Sequence, residues 1–194
     1  HHRHKQTKLR PVFVYIHGGC FLYGSSSLSL YDGQIFATMT DALIVTINFR
    51  LSTFGLLYAD KMDTINGNQV LWDQIMALQW IHDNIRSFGG DPEQITIAGN
   101  SAGGWSVSAH ILSPFSRDLF KHAIIMSGSV QRQIMTAEMA KKFWLDNIRH
   151  TDCANDQDES IDEKMIDCLM KMSPEQLEMI PYYTGNGCQC KCVL

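Results

Sequence analysis

The sequence predicts an α/β fold in which a central, mostly parallel sheet is flanked by helices. Short apolar runs alternate with longer amphipathic runs, which is the order that β-α-β units produce. The apolar runs contain few polar residues, as in parallel strands that helices cover on both faces. The predicted strands lie at residues 11–17, 42–48, 94–98 and 123–127.

The clearest predicted helix separates the second strand from the third. Its apolar residues recur at helical spacing on one face, at Leu71, Ile75, Leu78, Ile81 and Ile85. The glycine and proline residues of 89–92 end this helix and turn the chain into the third strand. Further helices are predicted at 138–150, 160–171 and 174–180.

A Gly-x-Ser-x-Gly sequence at residues 99–103 directly follows the third strand and precedes helix-compatible sequence. This is the context of a nucleophile elbow, in which a sharp turn holds the serine hydroxyl above the sheet. The N-terminus of the following helix stabilises negative charge there. The pattern predicts that Ser101 is a nucleophile. The alternative is a glycine-rich turn that carries an ordinary serine.

The first predicted strand leads into His17, Gly18, Gly19 and Cys20. This order matches the HGGG type of oxyanion motif, in which small residues let backbone N–H groups point at one spot. Such groups bind the negative oxygen that develops when a hydroxyl attacks an ester carbonyl. The alternative is a loop in which the two glycines only turn the chain.

With these motifs, the chain resembles the type B carboxylesterase family, which includes the cholinesterases. The similarity covers roughly residues 10–175 and includes NFRL at 48–51, ALQWIHDNI at 77–85 and AIIMSGS at 123–129. The resemblance implies an incomplete α/β-hydrolase fold. It also implies a serine hydrolase that acts on small carboxylic esters through an acyl-enzyme, without a cofactor or metal.

The resemblance assigns the nucleophile to Ser101 and the oxyanion donors to the N–H groups of Gly19, Cys20 and Ala102. Two residues depart from the family pattern. Cys20 stands where glycine or alanine is usual, and its side chain is expected to crowd the acyl group. Asn100 stands where the family has glutamate, so we expect altered efficiency toward cationic substrates.

In α/β-hydrolases the triad runs serine, acid, histidine along the chain. After Ser101 the sequence has His110, His122 and His150. His110 lies nine residues along the elbow helix, about 13 Å at 1.5 Å per residue. His122 precedes the fourth strand, at the opposite edge of the sheet, and His150 lies in a surface region. No acidic residue after Ser101 matches the family's triad acid.

We therefore expect the triad acid and histidine to lie outside this chain. The sequence reads as an internal fragment or a truncated gene model, and the chain alone is expected to lack turnover, because a serine without its base is a weak nucleophile. The alternative is a non-catalytic adhesion or binding protein of the cholinesterase-like type, or an inactive truncated product. The retained Ser101 favours the enzyme.

The resemblance also implies two structural pairs. Arg50 and Asp73 match a buried ion pair of the family. Cys153 and Cys168 lie where secreted members carry a small disulfide loop, whose closure would contribute about 3 kcal/mol. This disulfide and the family indicate a secreted or extracellular protein.

The chain is interpreted in three parts: a starting segment at 1–10, a partial carboxylesterase domain at 11–180 and a divergent tail at 181–194. The tail carries a Cys-x-Cys-x-Cys sequence from Cys188 to Cys192. Three thiolates can bind a metal, but the spacing is not that of a usual zinc knuckle. Intron read-through or a frameshift is the favoured interpretation of the tail.

The composition and charge of the sequence limit the classes of partner that the protein can bind. The net charge of −4 argues against nucleic-acid binding. No apolar run is long enough to span a bilayer. The expected partner is a small-molecule carboxylic ester, and the sequence gives no oligomeric state.

Overall fold

The computed structural model describes residues 8–62, 64–132 and 135–184. Its strands are β1 (Arg10–Ile16), β2 (Leu43–Thr46), β3 (Gly90–Asn100) and β4 (His122–Met126). Its α-helices are α1 (Gln34–Thr40), α2 (Ser52–Leu56), α3 (Gln69–Asn84), α4 (Ala102–Leu112), α5 (Ala137–Ile148), α6 (Glu163–Leu169) and α7 (Pro174–Met179). The predicted tail cysteines, Cys188 to Cys192, lie outside the described residues.

All four strands pair in parallel, in the order β2-β1-β3-β4, which confirms the predicted α/β fold. The two central strands carry the core through residues that are almost completely buried: Val12, Val14, Ile16, Ile95, Ile97 and Ala98. β3 begins earlier than predicted, at Gly90 instead of residue 94. Its early part pairs irregularly, with a register shift opposite Arg10 and Val12. Pro92 lies in this part and cannot donate to a regular ladder.

One part of the strand prediction is wrong. The fourth strand reads as buried on both faces, but β4 is the last strand of the described sheet and all five of its residues are exposed. β2, the first strand, is only half-buried. The apolar runs therefore predicted where the strands lie. They did not distinguish central strands from edge strands, because both kinds contain the same residue types.

The described chain forms two compact units. The first, here called the sheet unit, contains residues 8–18, 25–48 and 74–129. It includes all four strands, α1, α4 and most of α3. The buried face of α3 in this unit is the predicted one, with Leu78 and Ile81 in the core, and Ile85, directly after the helix, is also buried.

The second unit, here called the helical unit, contains residues 19–24 and 49–73 and the described residues from 130 onward. α5 supplies much of its core through Ala140, Trp144 and Ile148. The Thr136 hydroxyl accepts a hydrogen bond from the Met139 N–H, so α5 begins at a side-chain cap. None of the described helices combines the length and apolarity that crossing a bilayer requires.

α2 and α7 of the helical unit are joined by side chains that satisfy helix-end carbonyls. The Ser52 hydroxyl donates to the Glu178 carbonyl at 2.9 Å, and the Thr53 hydroxyl donates to the Leu177 carbonyl at 2.6 Å. The last carbonyls of a helix have no intrahelical partner, so these two bonds complete the end of α7.

The predicted disulfide is confirmed. Cys153 and Cys168 are bonded within the helical unit, with Cα atoms 5.5 Å apart and a sequence separation of 15 residues. Cys168 lies on α6, so the bond ties this helix to the loop that follows α5.

Arg50 and Asp73 form an ion pair in the helical unit, but the pair is not buried as the sequence predicted. The Arg50 guanidinium donates through Nε and Nη2 to the two carboxylate oxygens, at 2.8 Å each, and the Arg50 backbone N–H donates at 2.9 Å. The Arg50 side chain is 54% exposed and that of Asp73 is 22% exposed. The long arginine side chain lets its charged group reach the carboxylate while remaining in contact with water.

The hydrogen bonds of this pair set its ionisation. Burial alone would raise the pKa of Asp73, but the hydrogen bonds from Arg50 outweigh it and hold the pKa below its ordinary value. The hydrogen bond to Asp73 raises the pKa of Arg50. Asp73 therefore accepts three hydrogen bonds as a carboxylate, whereas Arg50 interacts through a solvated group.

Asp73→Ala is expected to lower stability more than Arg50→Ala. Arg50→Ala removes a solvated ion pair, which is typically worth about 1 kcal/mol. Asp73→Ala also leaves the Arg50 backbone N–H without its acceptor, which raises the expected loss to about 2 kcal/mol. Urea unfolding of both variants measures the difference, and equal losses would contradict the role given to the backbone bond.

Candidate active site

Ser101 occupies a strained turn between β3 and α4. Its φ of 56° and ψ of −119° are angles that residues other than glycine rarely adopt. Its N–H donates to the Met126 carbonyl of β4 at 2.8 Å, and its own carbonyl accepts the Trp105 N–H at 2.9 Å. Strain of this kind persists where surrounding bonds determine the backbone, and it often marks functional residues.

Two close backbone contacts explain why this turn needs glycine. A Cβ atom at Gly103, in the first turn of α4, would overlap the Ile16 carbonyl oxygen at the end of β1. A Cβ atom at Gly18 would lie 2.7 Å from the Asn100 carbonyl oxygen and 3.3 Å from the Ser101 Cβ. Since the obstacles are mostly backbone atoms, they cannot move aside as a flexible side chain would. The two glycine motifs of the sequence are thus parts of one junction.

Ser101 is an exposed residue. The residues that follow it, from Ala102 to Val107, are buried. Ser101 is the N-cap residue of α4, yet its hydroxyl makes no capping hydrogen bond, although serine is among the best N-caps. The hydroxyl is therefore accessible at the positive end of an 11-residue helix.

Gly19 and Cys20 belong to the helical unit, where they begin a tight turn. Gly19, Cys20 and Phe21 all have positive φ values, of 117°, 56° and 62°. The Gly19 carbonyl accepts the N–H groups of Leu22 at 2.9 Å and Tyr23 at 3.1 Å, which closes the turn. Cys20 is disulfide-bonded and has no free thiol. The roles of Gly19 and Cys20 as oxyanion donors stay predictions from the sequence.

The three histidines after Ser101 have other structural settings. His110 is buried in α4, and its ring contacts Gln74 and Ser116. His122 is the first residue of β4, about 13 Å along the strand from Met126, whose carbonyl contacts Ser101. His150 is exposed in the helical unit, where its Nδ1 lies 2.9 Å from the Asp146 carbonyl. Within the described part of the sheet unit, no hydrogen bond joins the Ser101 hydroxyl to a histidine.

An open aromatic cleft of about 420 Å³ adjoins the elbow in the sheet unit. Asn100, which precedes Ser101, lines the cleft together with Met126. Its aromatic residues form two ring pairs: Phe13 with Phe36 at 5.2 Å, and Tyr15 with Tyr31 at 5.0 Å.

Asn100 contributes a neutral amide to the cleft. Asp32 is the one carboxylate among the residues that line it in the described structure. Burial, and then the neighbouring Tyr31, raise the pKa of Tyr15, so its phenol is neutral at pH 7. Sequence reasoning missed this cleft because its aromatic residues come from distant segments that share no motif.

Sequence reasoning also missed a buried polar cluster in the sheet unit. His110 is 1% exposed, and Gln74 and Ser116 are equally inaccessible. The His110 Nε2 lies 2.9 Å from the Gln74 Oε1, and Nδ1 lies 3.0 Å from the Ser116 hydroxyl. Burial lowers the pKa of His110 from 6.5 to about 4, so its ring is neutral at pH 7. The sequence signal was a histidine and a glutamine on the apolar faces of two helices.

Comparison with known proteins shows that the sequence is similar to carboxylesterases and cholinesterases. The carboxylesterase family profile matches residues 1–183. An acetylcholinesterase of Leptinotarsa decemlineata is 34% identical over 96% of this chain and 31% of its own length. Acetylcholinesterase 4 of Caenorhabditis briggsae is 42% identical over 87% of this chain and 27% of its own length.

Cholinesterase 1 of Branchiostoma lanceolatum is 40% identical over 86% of this chain and 46% of its own length. The chain thus spans less than half the length of each of these three relatives.

His110 predicts a specific loss of stability in acid. The unfolded chain binds this proton near pH 6.5 and the folded chain near pH 4. Because the unfolded state binds more protons between these values, stability falls as the pH falls, by about 3 kcal/mol in total, and levels off below pH 4.

Urea unfolding between pH 7 and pH 4 measures this effect as a difference between the wild-type chain and His110→Gln. Carboxylates that titrate in the same range contribute equally to both proteins and cancel. The wild-type chain should lose more stability than the variant over this range. Parallel pH profiles for the two proteins would show that His110 does not titrate as its burial predicts.

Proposed function

Because the chain belongs to the carboxylesterase family, we propose that it carries the nucleophile of a serine carboxylic ester hydrolase. One observation carries the proposal: Ser101 has a strained backbone, an exposed side chain and a hydroxyl that does not cap its own helix. An ordinary serine at a helix N-terminus would use its hydroxyl as a cap. The substrate class is the carboxylic esters, and no cofactor takes part.

In the proposed reaction, the Ser101 Oγ attacks the carbonyl carbon of the ester while a general base accepts the hydroxyl proton. The carbonyl oxygen becomes an oxyanion, and the bond to the alkoxy oxygen then breaks as the proton passes to the leaving alcohol. Water hydrolyses the resulting acyl-enzyme by the same two steps in turn, which releases the acid and restores the hydroxyl.

The first turn of α4 provides stabilisation for the oxyanion. The Ala102 N–H is among the first four N–H groups of the helix, which have no intrahelical acceptor. The dipole of α4 adds positive potential at the same end. As the resemblance implies, the N–H groups of Gly19 and Cys20 would serve as the other donors. Loss of one such donor typically costs about 10²–10³ in rate.

The general base is the part of this mechanism that the sheet unit does not supply. Both ring nitrogens of His110 are engaged by buried partners, and His122 lies at the opposite end of β4 from the elbow. We therefore propose that the triad histidine and its acid come from residues that this chain does not contain. The 194 residues alone would then hold a nucleophile that turns over poorly.

A secreted location is part of the proposal, supported by the disulfide between Cys153 and Cys168. Disulfides persist in oxidising compartments and are rare in the cytosol.

Labelling with a fluorophosphonate tests Ser101 as the nucleophile. The protein encoded by the complete source transcript should form one adduct, on Ser101, and Ser101→Ala should form none. The 194-residue chain should label about 10²–10⁴ times more slowly than the complete product, because general-base catalysis typically contributes that factor. Peptide mass spectrometry locates the adduct.

Two results would contradict this proposal. A Ser101→Ala protein that labels as fast as the wild type would assign reactivity to another residue. A complete product that stays inert would favour a non-catalytic binding protein or an inactive truncated product. If cells that express the complete product retain it in the lysate and release none into the medium, the proposed secretion is contradicted.

Asn100→Glu should increase the preference of Ser101 for cationic reagents. A carboxylate at this position would add one negative charge to the wall of the aromatic cleft. A single charge within several ångströms changes the relative rates for cationic and neutral reagents by about tenfold. The measurement compares labelling rates for a cationic phosphonate and a neutral phosphonate of the same shape.

Asn100→Gln is the matched control, because it changes size without adding charge and should leave the ratio unchanged. An equal change in both variants would mean that side-chain length, not charge, determines the preference.

A further inference from the structure

We infer that His110 is a positioning residue for Ser101, because its buried ring fixes the far end of the helix that begins at the elbow. The inference rests on the proposed role of Ser101. His110 itself touches neither the nucleophile nor any reacting atom, and it would act only through the orientation of α4.

The hydrogen bonds of His110 define the arrangement. The ring Nε2 lies 2.9 Å from the Gln74 Oε1. Nδ1 lies 3.0 Å from the Ser116 hydroxyl oxygen, which also lies 3.3 Å from the His110 carbonyl oxygen. Gln74 lies on α3, and Ser116 lies in the turn after α4. The ring therefore joins three elements of the sheet unit by directional bonds.

α4 is fixed differently at its two ends. Near the elbow it contacts neighbouring strands through glycines: a Cβ at Gly104 would lie 2.5 Å from the Met126 carbonyl oxygen, and one at Gly103 would overlap the Ile16 carbonyl oxygen. These contacts set how close the helix approaches, but contacts between packed atoms have no strong direction. The hydrogen bonds of His110 restrict rotation and tilt at the other end.

The orientation of α4 matters because Ser101 is strained. Its backbone angles depend on the N–H bond to Met126 and on the Trp105 N–H that its carbonyl accepts, and the second bond belongs to the first turn of α4. A rotation of the helix would lengthen that bond and let the turn relax to ordinary angles. The hydroxyl would then point away from the position that the elbow gives it.

A purely structural role does not require a histidine at this position. An apolar residue of similar size would fill the same buried space without the cost of removing a polar ring from water. The Gln74 Nε2 is also buried and has no hydrogen-bond partner in the described part of the chain, which is a further cost. A need to hold α3 and α4 in a fixed arrangement would explain why these polar groups are buried despite the free energy that their burial costs.

The test compares His110→Leu, which removes both ring hydrogen bonds, with His110→Gln, whose amide can retain one of them. Ile81→Ala is the control, because it truncates a buried core residue of α3 outside the cluster. Two quantities are measured in each folded protein: the labelling rate of Ser101 at saturating fluorophosphonate, and the hydrogen exchange of the Ser101 and Trp105 amides.

We expect His110→Leu to lower the saturating labelling rate at least tenfold while the half-saturating probe concentration stays unchanged. His110→Gln should recover part of the rate, and Ile81→Ala should label within twofold of the wild type. The Ser101 and Trp105 amides should exchange faster in His110→Leu than in Ile81→Ala. If His110→Leu does not fold, Ser116→Ala removes one of the two ring bonds and takes its place in the comparison.

Other results separate the inference from the proposed function. A His110→Leu protein that is less stable but labels like the wild type, with amide exchange equal to that of Ile81→Ala, would overturn the positioning role. If the wild-type protein does not label at all, the proposed function fails. The exchange of the two elbow amides then decides the inference alone: faster exchange in His110→Leu supports it, and equal exchange overturns it.

Discussion

The close approach of α4 to the end of β1 is the constraint on which the candidate site depends. The helix starts so near the Ile16 carbonyl that Gly103 has no room for a side chain. The chain must therefore reverse within one residue between β3 and α4, and that residue takes the strained angles of Ser101. Parallel strands place their carboxyl ends at one edge of a sheet, so the turn meets β4 there and bonds to the Met126 carbonyl. The exposure of Ser101 follows from this packing.

This constraint also explains which features could be predicted from the sequence. The elbow is a local junction, because its glycines and the strand before it lie close together in the sequence. The motif and the run of apolar residues were therefore enough to identify it. The four strands and the buried face of α3 were found for the same reason. The exposure of β4 was not, because the pairing order, and not the residue types of the strand, makes it the last strand of the described sheet. The aromatic cleft and the cluster around His110 join segments that are far apart in the sequence, and no short pattern marks them.

The two structural pairs show the limits of inference from resemblance. The disulfide between Cys153 and Cys168 was predicted correctly, because a covalent bond depends only on which two thiols meet. The pairing of Arg50 with Asp73 depends equally on position, but its energy depends on solvent, and the Arg50 side chain is 54% exposed. Coulomb attraction in such a setting is several times weaker than in a dry interior. The carboxylate is the more strongly bound partner, since it also accepts a backbone N–H.

The structure separates two requirements of serine catalysis. Placement of the hydroxyl is a property of packing, because it is fixed by backbone contacts and by the orientation of one helix. Activation of the hydroxyl is a property of proton transfer, because it needs a neutral base within hydrogen-bond reach. A buried histidine illustrates the difference: His110 is neutral at pH 7, as a base must be, but both of its ring nitrogens are occupied. Such a histidine can orient a nucleophile without deprotonating it. A chain with this elbow can therefore keep the backbone geometry of the turn whether or not a general base lies near Ser101. The rate at which Ser101 is labelled, more than its geometry, distinguishes a chain with a base from a chain without one.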